Sequence, residues 1–89
     1  MKITTSKGKA FDIGFICSPL STPEHVIIET RDTRPLSEIA ADFEGLESIK
    51  KEDDTRGSSV YEMYEGFSRL VEIHRYADGS VRLTLEKPA

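Results

Sequence analysis

Few side chains in this sequence could do chemistry. His25 and His74 are the two histidines, Cys17 is the one cysteine, and Glu52-Asp-Asp54 is the densest acidic run. A metal centre needs several N, O or S ligands converging on one point. Neither histidine stands in a His-x-x-x-His spacing. A calcium loop alternates its acidic ligands and ends on a bidentate Glu; Glu52–Asp54 does neither and reads as a solvated turn. A thiol nucleophile needs a base beside it, and Cys17 has no neighbouring His, so it reads as a core or half-buried thiol. The six glycines are scattered and form no phosphate-cradling loop. The expectation is a protein that is no enzyme and carries no cofactor and no metal. The alternative that retains chemistry is a small hydrolase or metal enzyme using His25 or His74 with nearby acids.

One segment has a helical period. Leu36, Ile39, Ala40 and Phe43 recur at i, i+3, i+4 and i+7, which predicts an amphipathic helix over about 35–44. Glu38, Asp42 and Glu44 fall elsewhere on the wheel. Thr33 or Ser37 is suited to cap it, Pro35 to its first turn and Gly45 to the left-handed residue beyond it. The phrase Leu36-Ser-Glu-Ile-Ala resembles the first helix of a helix-turn-helix, so a DNA-binding regulator using the 36–43 helix is a second alternative. That motif requires a recognition helix a few residues later, whereas Leu46 to Thr55 runs into acidic residues and the rest alternates as strand.

The remaining segments have period two. Ile3-Thr-Thr is a short strand. Ala10 to Ile16 reads as one strand with Phe11, Ile13 and Phe15 on one face. Ser18 to Pro23 is a loop, because two prolines cannot donate to a ladder. His25 to Thr30 is rich in β-branched residues. A short strand around Ile49 is followed by an exposed charged loop from Lys50 to Gly57. Val60 to Phe67 is a strand with Tyr61, Met63 and Phe67 on one side, Val60 and Tyr64 on the other, and a bend at Gly66. Arg69–Tyr76 and Ser80–Glu86 form a last hairpin. A three-residue Ala77-Asp-Gly79 loop pairs Arg75 with Val81, Ile73 with Leu83 and Val71 with Leu85. A two-residue turn puts the apolar residues on opposite faces, so burial selects the longer loop over the familiar Asp-Gly signal. The expected fold is one α+β domain over 1–89: a mostly antiparallel sheet or small barrel of about six to seven strands with one short helix. The core candidates are Phe11, Ile13, Phe15, Val26, Ile28, Leu36, Ile39, Phe43, Val71, Ile73, Leu83 and Leu85.

Composition bounds the partners. The chain has 89 residues, 37% of them hydrophobic, and a formal charge of −4. Nucleic-acid affinity comes largely from Lys and Arg displacing counterions; here they are interspersed with acids, so no nucleic-acid partner is expected. No run approaches the ~20 apolar residues of a membrane span, and the first residues lack the apolar stretch of a secretory signal. With a single Cys no intrachain disulfide forms, which fits a reducing compartment.

Asp32-Thr-Arg-Pro-Leu-Ser-Glu-Ile-Ala-Ala-Asp-Phe-Glu-Gly45, Tyr64-Glu-Gly-Phe-Ser-Arg-Leu-Val-Glu-Ile-His-Arg75 and Gly79-Ser-Val-Arg-Leu-Thr-Leu-Glu-Lys87 together resemble small phage- and prophage-encoded proteins of gut Firmicutes, often near tail-morphogenesis genes. The group has no assigned activity, so no residue role comes with the resemblance. What it implies is a non-catalytic assembly or accessory protein, cytoplasmic in the host bacterium or part of the virion. Its partner is then a protein, either a phage structural protein or a second copy. Strand edges and aromatics are how small β domains associate, and Tyr61, Tyr64 and Tyr76 are the candidate partner-binding residues.

Overall fold

The computed structural model describes residues 1–55 and 58–88. The chain runs β1 (Lys2–Thr5), β2 (Ala10–Asp12), β3 (Phe15–Cys17), β4 (His25–Thr30), α1 (Leu36–Phe43), β5 (Ser48–Thr55), β6 (Ser58–Glu65), β7 (Arg69–Arg75) and β8 (Val81–Glu86). The strands form two antiparallel four-stranded sheets, ordered β2-β1-β5-β6 and β3-β4-β8-β7. The fold is therefore α+β with mostly antiparallel sheet, with slightly more strands than expected.

The extra strand comes from the segment read as one strand over Ala10–Ile16. It is two strands in two sheets. Ile13 N–H donates to the Met1 carbonyl and Gly14 N–H to the Glu29 carbonyl, both at 2.9 Å, so the chain hands its hydrogen bonds from the first sheet to the second at this corner. The corner also breaks the alternation. Phe11 is half-buried and Ile13 and Ile16 are buried, while Phe15 faces outward and is 42% exposed. Phe15 therefore leaves the expected core and Ile16 enters it.

The inner faces pack Ile3, Ile16, Val26, Ile28, Ile49, Tyr64, Phe67, Val81, Leu83 and Leu85 together with Ile39 and Phe43 from α1. Removing this apolar surface from water is the main force holding so small a domain. The helix has the expected stripe: Ile39 and Phe43 are buried, Leu36 and Ala40 partly so. Phe43 meets Phe11 at 5.0 Å between ring centroids. Neither Thr33 nor Ser37 caps the helix; Pro35 occupies the cap position with no side-chain bond. Gly45 has the left-handed φ of +72° expected of it.

The last hairpin has the expected loop. Tyr76 N–H donates to the Ser80 carbonyl at 2.8 Å, and Ile73 pairs with Leu83 and Arg75 with Val81. The pairing of Val71 with Leu85 does not form. The ladder shifts between Leu70 and Glu72, Leu70 takes the place opposite Leu85, and Val71 is 42% exposed. One extra residue in a bulge turns the following side chain to the other face. The charged segment after Ile49 is also corrected, because β5 continues to Thr55 and pairs with β6 over its whole length. Arg56 and Gly57 of the expected loop lie outside the described residues.

Candidate functional site

The groups considered for chemistry stay apart. His25, on β4, lies opposite Glu86, its Nε2 3.2 Å from the carboxylate. His74, on β7, lies opposite Arg82 and stacks edge-on against Tyr76 at 4.6 Å. Cys17 is half-buried at the end of β3. Glu52 to Asp54 run along β5, not through a turn. Among the described residues no three His, Cys, Asp or Glu side chains converge on a metal-sized point. No helix of the described residues is long and apolar enough to cross a membrane.

An ion cluster that the sequence reading missed clamps α1. Asp42, which the wheel places off the apolar stripe, is buried, at 8% exposure. Lys9 Nζ donates to its Oδ1 at 2.8 Å, and Arg34 Nη1 lies 2.8 Å from its Oδ2. Arg34 also grips Asp32, with Nη2 to Oδ2 at 2.7 Å, and Arg75 donates to the Arg34 carbonyl. The bond from Lys9, aided by Arg34, holds the Asp42 carboxyl below the usual carboxylate range, and the bond from Arg34 does the same for Asp32. The cluster joins the approach to β2, the β4–α1 loop, α1 and β7, and both of its carboxylates are paired with cations. Its geometry suits a staple. The only sequence signal for it was the unusual triple of Asp32, Arg34 and Asp42 around one short helix.

The three tyrosines do not form one surface. Tyr61 projects from β6 and is 57% exposed. Tyr76 is exposed too, but at the β7–β8 turn in the other sheet. Tyr64 is buried, at 8% exposure, packed edge-on against Phe67 at 6.4 Å. Burial, with Glu62 beside it, pushes its phenol up to about 12. Gly66, at φ +82°, makes the bend that brings Phe67 onto the same inner face as Tyr64, so the expected grouping of Phe67 with Tyr61 and Met63 is not the observed one. A partner cannot reach Tyr64 without opening the core, and it drops out of the candidate surface.

What stands beside Tyr61 instead is Met63, 50% exposed on the same face of β6. Lys50, opposite Met63 on β5, places its ammonium 4.4 Å from the Tyr61 ring centroid. This strip borders the open side of the first sheet, since β6 is its last strand and nothing among the described residues pairs with its other side. Unpaired backbone N–H and C=O groups in a row are a template for another strand. No protein-family model, no curated protein and no solved structure matches the chain, so the β6 edge is reached from its own geometry alone.

Proposed function

We propose that this chain is a non-catalytic protein-interaction domain that docks a partner strand along the edge of β6. The observation that carries the reading is a long, bulge-free edge strand with exposed Tyr61 and Met63 beside it. Strand addition uses main-chain bonds for affinity and alternate side chains for specificity, and aromatic residues are favoured anchors. The likeness to phage- and prophage-encoded proteins supports a role in tail assembly and makes phage structural proteins the first partners to try. The DNA-reading alternative loses its support, because α1 turns Ile39 and Phe43 into the core and β5 occupies the place of a recognition helix.

The test is sedimentation or cross-linking of the purified protein, alone and with the products of neighbouring genes. The expected result is a specific complex that Tyr61→Ala with Met63→Lys weakens at least ~10-fold, about 1.4 kcal/mol or more, with the circular dichroism unchanged. Stoichiometric bound metal together with an activity lost in His25→Ala or His74→Ala overturns the reading in favour of an enzyme.

A further inference from the structure

We draw no further inference here: the strongest candidate, the cleft at the β2–β3 corner lined by Asp12, Ile13, Glu29, Arg31 and Asp78, rests on a cluster of acidic side chains with nothing in the structure that points to what it would bind.

Discussion

The two sheets end differently. The second sheet ends on β7, and the chain covers that edge. Helix α1 packs on it, Glu44 accepts a hydrogen bond from Leu70 N–H at 3.3 Å, Gly45 N–H donates to the Ser68 carbonyl at 2.9 Å, and a bulge at Val71 interrupts the ladder. A covering helix and a bulge are two of the ways proteins keep an edge from pairing with other chains. The first sheet ends on β6, which has an unbroken ladder with β5 and exposed Tyr61 and Met63. The fold thus closes the β7 edge and leaves the β6 edge open. On the proposed reading the β7 side is structural and the β6 side binds the partner, and the contrast can be broken from either side.

The largest effect is expected from uncovering β7. Phe43 is 1% exposed and rests on Phe11, so Phe43→Ala removes the main anchor of α1 and costs about 3–5 kcal/mol, the range for truncating a buried aromatic. Urea unfolding measures it, and concentration-dependent aggregation should rise as the β7 edge is freed. Leu83→Ala, at 0% exposure, costs about 2–5 kcal/mol; Ile73→Ala, half-buried, costs less.

Next comes the ion cluster. Asp42→Ala removes a carboxylate held by Lys9 and Arg34, at a cost of about 1–3 kcal/mol. The lower end applies because both partners reach solvent, where such pairs are screened. Asp42→Lys is worse, since it sets a third cation beside two, whereas Glu38→Lys on the exposed side of α1 leaves the fold intact. The pH dependence has a definite sign. The folded carboxyls of Asp32 and Asp42 titrate below the ordinary value of 3.8. Their contribution is therefore full above the unfolded value and is lost as pH falls through the folded one. Acid titration of the melting temperature should show the decline below about pH 4, and Asp42→Ala should flatten it.

At the alkaline end the sign reverses. With the Tyr64 phenol pushed up to about 12 from 10.0, the unfolded chain releases that proton first, so stability falls as pH rises through this interval. Ultraviolet titration of the phenols follows the ionisation, and Tyr64→Phe should remove this step while leaving the β6 edge open. The smallest effect belongs to Glu44→Ala, which uncaps Leu70 N–H at the surface and costs about 0.5 kcal/mol, the low end for one hydrogen bond. It separates stability from association: it acts at the covered edge and should leave any complex at β6 unchanged.

Patterns that depend on neighbours along the chain were legible before the fold. The period of Leu36, Ile39, Ala40 and Phe43 defined α1, because a 3.6-residue stripe has few other uses. Gly45 marked its end, because few other residues accept a positive φ. Burial of Ile73 and Leu83 on one face selected the Ala77-Asp-Gly79 loop. Tyr61 was legible as an exposed aromatic, though not the edge position of its strand, and Tyr64, three residues on, was not legible as core, because parity places a side chain on a face without saying which face is covered. The corner at Ile13–Gly14 and the bulge at Val71 each depend on bonds to distant segments, and either one moves the parity of everything after it. The charged residues of β5 became strand because β6 supplied a ladder, a context that outweighs local β propensity. Asp42 went inward because Lys9, 33 residues away in sequence, and Arg34 met it there. By itself the sequence determined local periods and turns. Which face was buried and which edge was left open were decided only when the two sheets and the helix closed on one another, because burial and pairing are properties of the assembled layers and of no single strand.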